Sequence, residues 1–260
     1  MPGVSVWGIG MVRDEADIIG PVLRRLLREV DHVLVADNRS TDGTADVLGS
    51  MEGVTVLDDP DPEFAMARKL TALAHIAAQR GATWVVPFGA DEVWLAREGG
   101  RVADTLVALP EEVAVARAVV FDHVPTALDP PHDDPIARMV YRRPEPKPLK
   151  RLAYRATPGL SIGHGGHDGS IADRRKVRVA EGLFVIRHFS VRSPEQFVRK
   201  TRIAAEGFAV TDLPLLASIH RRRWVRDLDA GGDEALVARF YDEFWVDDPD
   251  AAGLVRDPCP

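Results

Sequence analysis

The sequence predicts an α/β protein: a mixed, mainly parallel sheet flanked by helices, with a helical C-terminal extension. Three observations carry this. Short β-rich runs alternate with helical patterns through the first hundred residues, which calls for crossover helices covering a sheet on both faces. Asp14, Asp37, Asp58/Asp59 and Asp91 each follow directly after a β-rich run. In such sheets ligands bind at the carboxyl ends of the strands. The tail beyond residue 220 reads as helix and loop.

Taken in order, residues 4–12 form a β-rich run. Ile18, Ile19, Val22, Leu23, Leu26, Leu27 and Val30 then make an apolar stripe at helical spacing. With Asp17 as N-cap, Pro21 falls in the first turn, where its missing N–H costs little. Residues 32–36 (HVLVA) are a short apolar strand, followed by a turn, a short helix and a strand at 54–57. Residues 63–80 read as a long helix with Met66, Leu70, Leu73 and Ala77 on one face and Gly81 as its stop. Residues 83–88 are the fourth strand. A helix near 102–109, a β-rich run at 113–124, a Pro- and Asp-dense loop at 125–135 and β-like runs around Val177 and at 183–189 follow. Ser193, Pro194 and Gln196 open a helix as N-cap, first helical residue and capping-box partner. Residues 1–205 are read as one domain, with residues 206–260 as a helical extension packed on it.

Composition narrows the class. The 260 residues carry 33 basic and 40 acidic side chains, a formal net charge of −7, with 45% hydrophobic residues. The length suffices for a substantial core. An acidic total argues against general nucleic-acid binding, which needs a basic face. No apolar run approaches the roughly 20 residues of a membrane span. The start, MPGVSVWGIGMVRDE, lacks the basic opening and cleavage site of a signal peptide. The single cysteine, Cys259, allows no internal disulfide. The expectation is a soluble cytoplasmic protein.

Several stretches bear chemistry. The turn DNRSTDGT (37–44) sits at a strand end, where Asp37 can accept hydrogen bonds from a base or ribose; the same composition also suits a plain capped turn. WVVPFGADEVW (84–94) runs an apolar strand into adjacent carboxylates, hard oxygen ligands of the kind Mg²⁺ or Mn²⁺ takes. In SIGHGGHDGS (161–170), glycines let backbone approach a ligand, and His164 or His167 could contact phosphate or metal. Residues 142–155 hold six basic groups against one acid. With Arg174 and Lys176, they suit donor phosphates, an anionic acceptor or guarded sheet edges.

Four of these segments together resemble the glycosyltransferase family 2 type, in particular a small bacterial branch. MVRDEADI, ADNRSTDGT, WVVPFGADEVW and IRHFSVRSPEQFVRK occur in that family's order, over residues 5 to about 205. The resemblance implies a GT-A fold, a nucleoside-diphosphate sugar donor, a saccharide or small-molecule acceptor, and inverting transfer assisted by Mn²⁺ or Mg²⁺. It puts Arg13 and Glu15 against the nucleoside, Asp37 on the base, Ser40 and Asp42 in the turn, and Arg68 reaching toward the donor. Asp91 and His188 become the metal ligands, with Glu92 beside them. Asp168 becomes the base that takes the acceptor proton, with Asp122, Asp133 and Asp134 as rivals. Arg192 and Lys200 reach the diphosphate. Two positions depart from the family pattern. Asp14 replaces an asparagine, and Gly89 replaces the first acid of the metal motif, so that Asp91 and Glu92 need help from elsewhere or metal binding is weakened or lost. A catalytically silent nucleotide-binding module is the alternative; a nucleotidyltransferase or a metallohydrolase on GHGGHD fits less well.

Overall fold

The computed structural model describes residues 5–63, 65–148, 150–171, 178–211 and 219–260. Along the chain run β1 (Val6–Val12), α1 (Ile19–Glu29), β2 (His32–Asp37), α2 (Thr44–Gly49), β3 (Val54–Asp58), α3 (Met66–Gln79), β4 (Trp84–Phe88) and β5 (Glu92–Ala96). Then come α4 (Val102–Val107), β6 (Val113–Asp122), α5 (Pro135–Arg138), β7 (Tyr141–Arg142) and β8 (Arg151–Arg155). After β9 (Ser161–Ile162), a 3-10 turn at His164–Gly166 and β10 (Gly169–Ser170), β11 (Arg178–His188), α6 (Pro194–Ala209), α7 (Ile219–Glu243) and β12 (Val255–Arg256) complete the chain. Arg174, Lys176 and the expected strand around Val177 lie outside the described residues.

The chain divides into two compact units, the first made of residues 1–59, 66–121 and 145–188. Its centre is an eight-stranded mixed sheet in the order β3-β2-β1-β4-β8-β6-β11-β5. The four strands β3, β2, β1 and β4 are mutually parallel, while β8 runs antiparallel to β4 and β6, and β5 antiparallel to β11. This is the expected mixed α/β sheet flanked by helices. Helices cover both faces because successive strand residues point in opposite directions. Ile9 packs with Leu70, Leu73 and Ala77 of α3. Its neighbour Gly8 faces α1, where an added Cβ would come within 3.0 Å of Leu26. The fully buried Trp84, Trp94 and Tyr154 fill the interior.

Two expectations at helix ends are corrected. α1 begins at Ile19 with Ile18 as N-cap and no side-chain cap, so Asp17 does not cap it. Instead the N–H groups of Ile18 and Ile19 both donate to the carbonyl of Glu15, a turn that starts the helix without a capping side chain. Two strands of the main sheet, β5 and β8, also escape the periodicity. β5 opens on the acid Glu92 and reads as a loop start, and the arginines at both ends of β8 mask the three apolar residues between them.

The second unit comprises residues 60–65, 122–144 and 189–260. Its core is Val191, Phe197, Trp224, Leu236 and Phe240, contributed mainly by α6 and α7. Ser193 caps α6 by accepting the Gln196 N–H, and Pro194 takes the first turn, as expected. The Gln196 side chain, however, accepts from the N–H of Arg192 at 3.2 Å rather than from that of Ser193. No helix among the described residues is long and apolar enough to cross a membrane.

Candidate active site

The parallel register sets the site. Val12 pairs with Asp37 and Gly10 with Phe88, so the loops after β1, β2 and β4 leave the same sheet edge side by side. In the first two loops nearly every polar group finds a local partner. Asp14 holds a left-handed backbone, φ 50°, as does Arg39 at φ 62°; Asp and Asn tolerate this region better than other non-glycine residues. From there Asp14 Oδ1 accepts the Thr41 N–H at 2.6 Å, while its own N–H donates to Ser40 Oγ at 3.0 Å. The Ser40 hydroxyl in turn donates to Asp37 Oδ1. Asp42 accepts the Thr44 N–H and hydroxyl on Oδ1 and the Ala16 N–H on Oδ2. The Glu15 N–H donates to Thr44 Oγ1 at 2.9 Å.

Ser40 and Asp42 therefore shape the turn, and Asp14 does the same work from the neighbouring loop. Asp37, half-buried at the end of β2, lies at the centre of this lacing, with Arg13 and Glu15, also half-buried, on the adjoining loop. Arg68 is exposed on the first turn of α3. Its neighbour Lys69 is buried and pairs with Asp59 Oδ2 at 2.7 Å, the oxygen that also takes Asn38 Nδ2 at 2.9 Å. The contacts of Asn38 and Lys69 with Asp59 were not anticipated. Asp59 stood out as a strand-end acid, but nothing in a ten-residue spacing announces a pairing.

The end of β4 is built from charge. Glu92 is 2% exposed. Its carboxylate accepts Arg151 Nε at 2.8 Å and the Gly89 N–H at 2.9 Å, and Arg151 Nη2 lies 2.7 Å from Oε1. Burial alone would raise its pKa; the Arg151 guanidinium outweighs that and holds the carboxyl below the usual range. Glu92, expected on the substrate side, has protein partners on both of its oxygens. Arg151 can reach because the ladder between β4 and β8 ends at Val85, short of Pro87, which has no N–H to offer a neighbouring strand.

Asp91 is also buried. The antiparallel register places His188 opposite Glu92, bringing His188 Nε2 to 3.6 Å from Asp91 Oδ1. On the other side of the ring, Lys147 Nζ lies 3.0 Å from His188 Nδ1. Gly89 explains itself here. A Cβ would sit 3.0 Å from Asp91 Oδ1 and 3.2 Å from Glu92 Cδ, so the space of the missing acid is filled by the other two.

The donor set fits a divalent ion poorly. Glu92 is committed to Arg151, and among the described residues no three His, Cys, Asp or Glu side chains gather as ligands. An ammonium on Nδ1 also places the ring proton of His188 on Nε2, the nitrogen that faces Asp91.

The glycine-rich loop lies over this end. Cβ atoms at Gly165 and Gly166 would come 3.5 and 3.6 Å from Arg151 Nη1, and one at Gly166 3.3 Å from Pro87 Cβ. His167 Nδ1 bonds the Lys150 carbonyl at 2.8 Å, and burial, then Arg151, lowers its pKa. Its ring is thereby kept neutral and fixed. His164 opens the 3-10 turn. The Asp168 carbonyl accepts both the Gly163 N–H and the Tyr154 hydroxyl, pinning the loop's end. Its exposed carboxylate lies over Gly163, where a Cβ would be 1.5 Å from Oδ1. Asp168 thus owes its position to a glycine five residues before it.

Arg192 and Lys200 belong to the second unit. Arg192 is 3% exposed and donates from Nη1 to the Phe189 carbonyl, and Lys200 Nζ donates to the Ser190 carbonyl at 3.0 Å. Both tie down the chain leading into α6. Of the rival bases, Asp134 caps α5 by accepting the Ile136 N–H.

No protein-family model matches the chain, and no curated protein matches it. Among solved structures it is similar to S. aureus TarS 1-349 in complex with UDP, at 12% identity and a TM-score of 0.42, covering 92% of this chain and 72% of that one. It is similar to glucosyl-3-phosphoglycerate synthase from Mycobacterium tuberculosis in complex with Mn²⁺, UDP and phosphoglyceric acid, at 16% identity and 0.41, covering 78% and 77%. It is also similar to 4-diphosphocytidyl-2C-methyl-D-erythritol synthase from Anaerococcus prevotii, at 10% identity and 0.37, covering 80% and 98%.

Proposed function

We propose that this protein transfers a glycosyl group from a nucleoside-diphosphate sugar to the hydroxyl of a saccharide or small-molecule acceptor, with inversion at the anomeric carbon. One observation carries the reading. The laced turn around Asp37, the Asp91–His188 pair and the Asp168 loop all stand at one edge of a single sheet, the carboxyl ends of β1, β2 and β4 and the chain that covers them. That edge is where a parallel sheet receives a nucleotide.

In this reading Asp37 and the backbone of the laced loops take the nucleoside, and Arg13, Glu15 and Arg68 border it. The Asp168 carboxylate takes the acceptor hydroxyl proton as that oxygen bonds to the anomeric carbon. The bond to the nucleoside diphosphate breaks on the opposite face, and the diphosphate leaves with the electron pair. His167, neutral and fixed, and His164 line the loop that carries the base. No step is assigned to a divalent ion.

A panel of nucleoside-diphosphate sugars, UDP-sugars first, tests this by release of nucleoside diphosphate and thermal shift. Asp168→Asn should lower turnover by roughly 10²–10⁴-fold, the usual worth of a general base, while leaving donor-induced stabilisation intact. Unchanged turnover in that variant removes Asp168 from the role. Turnover in the wild type disposes of a silent binding module.

A further inference from the structure

We propose that Arg151 selects the acceptor: its Nη1, turned toward the glycine-rich loop, binds an oxyanion carried by the molecule whose hydroxyl reacts. The oxyanion is a carboxylate or a phosphate. The inference rests on the Asp168 reading above and names the acceptor class for that same site.

A guanidinium carries five N–H donors in a planar fork. In Arg151 one edge of the fork is committed. Nε lies 2.8 and 3.0 Å from the two Glu92 oxygens, and Nη2 lies 2.7 Å from Oε1. Planarity then turns Nη1 away from Glu92. Its two N–H groups have no hydrogen-bond partner among the described residues. The side chain still reaches solvent, with 16% of it exposed. Because Glu92 fixes the guanidinium, an anion at Nη1 is bound with little further loss of side-chain freedom.

The loop that faces Nη1 does so with backbone alone. Gly165 and Gly166 both hold positive φ, 68° and 69°, which glycine adopts without strain. A side chain on either would stand in van der Waals contact with Nη1, its Cβ 3.5 or 3.6 Å away. The His167 ring, tied by Nδ1 to the Lys150 carbonyl at 2.8 Å, walls the same loop at Gly165.

The loop also carries the base. Asp168 stands two residues after Gly166, and its carbonyl accepts the Tyr154 hydroxyl at 2.7 Å. That hydroxyl senses both charges: its pKa is raised by burial and by the Asp168 carboxylate, while the Arg151 cation opposes the rise. Inversion puts the leaving diphosphate on the face of the anomeric carbon opposite the base. An anion beside the base therefore belongs to the acceptor. A lone carboxylate base would repel such an acceptor; a guanidinium next to it offsets the repulsion and adds charge-assisted hydrogen bonds.

Turnover with matched acceptors tests the inference, using the donor found by the panel above. The two sets are glucose, glucose phosphate and glucuronate, and glycerol, glycerol phosphate and glycerate. At least one anionic acceptor should exceed its neutral parent in kcat/KM by roughly ten- to hundredfold, the worth of one charge-assisted hydrogen bond. The phosphate and carboxylate arms tell the two oxyanions apart. The double variant Glu92→Met/Arg151→Met removes the guanidinium without stranding a buried charge. In it the ratio of anionic to neutral acceptor should fall to within about threefold of one. That ratio is taken within each variant, so a general loss of activity does not move it. If the double variant does not fold, as judged by thermal unfolding, Arg151→Lys is read in the same way, since one ammonium lacks the fork that serves two partners. Equal use of neutral and anionic acceptors by the wild type, or a preference that survives loss of the guanidinium, overturns the inference and leaves the donor reading standing. If a donor binds but no acceptor reacts, calorimetry with inorganic phosphate decides. Binding at least about tenfold weaker in the double variant upholds Arg151 as the oxyanion site, and equal binding overturns it. If no nucleotide sugar binds, the donor reading falls and takes the inference with it.

Discussion

The two corners of the sheet edge are built on opposite principles. In the Asp14–Asp42 corner, short polar side chains bond backbone N–H groups a few ångströms away, drawn from loops that parallel pairing brings together. In the Asp91–Glu92 corner, the partners are charges supplied by segments 59 and 97 residues further along, Arg151 to Glu92 and His188 to Asp91. The first corner is a matter of turn chemistry, and much of it is redundant. The second depends on charged partners brought from far along the chain to buried acids, so removing one leaves a buried charge poorly matched. The difference in cost follows from that.

The largest effect should come from Arg151→Ala. Glu92 would be left buried without its cation, a loss of about 3–5 kcal/mol for a broken buried pair, read by urea unfolding. Replacing both partners by methionine should cost less than the single change. A double variant as unstable as Arg151→Ala would mean that the pair matters for packing rather than charge.

The same pair has a pH signature. Glu92 has a folded pKa below its ordinary 4.5. Its contribution is therefore present above about 4.5 and is lost as pH falls through the lower folded value. Stability of the wild type should fall more steeply with acid below that point than stability of Glu92→Gln. Parallel curves would remove the carboxylate from the account.

Gly89→Asp, which adds an acid two residues before Asp91, should destabilise by about 1–3 kcal/mol, the range for overpacking, because the added atoms meet Asp91 and Glu92. A more stable variant would show that the corner has room for a third acid after all.

In the other corner, Asp14→Ala should cost about 1–2 kcal/mol for lost hydrogen bonds. Asp14→Asn, which keeps an acceptor and tolerates the left-handed backbone, should stay within about 1 kcal/mol of wild type. Equal losses for the two would place the effect in charge rather than in lacing. The smallest effect on stability is expected for Gly163→Ala. The exposed Asp168 side chain can swing away, at under about 1 kcal/mol, yet transfer should be lost because the base has moved.

Legibility in the sequence followed the same division. The motif DNRSTDGT announced its turn because Asp, Ser, Thr and Gly act over two to four residues, and Ser40 and Asp42 do what their types suggest. Asp14 too was in view, as the residue standing in an asparagine's place. The partner of Glu92 was not legible. From composition an acid beside Asp91 looks like a second ligand; only the arrival of Arg151 shows that its oxygens are spent inward. Lys147 and Arg151 were seen as members of a basic stretch, with no means of telling which of its six cations meets an acid. Lys69 gave no signal, and Asn38 stood in the turn motif without showing its partner, since pairing with Asp59 depends on where α3 lands beside β2 and β3.

By itself, then, the sequence determined the α/β class, the order of the first four strands and helices, the turn at residues 37–44, and the clustering of acids at strand ends. All of these rest on interactions between near neighbours, where residue type and spacing suffice. Only the tertiary structure decided that β8 stops pairing at Val85, that β11 sets His188 opposite Glu92, and that Arg151 and Lys147 enter the acid corner. Those outcomes depend on strand order and register, which no local preference encodes, and a one-residue slip would turn each of these side chains to the other face.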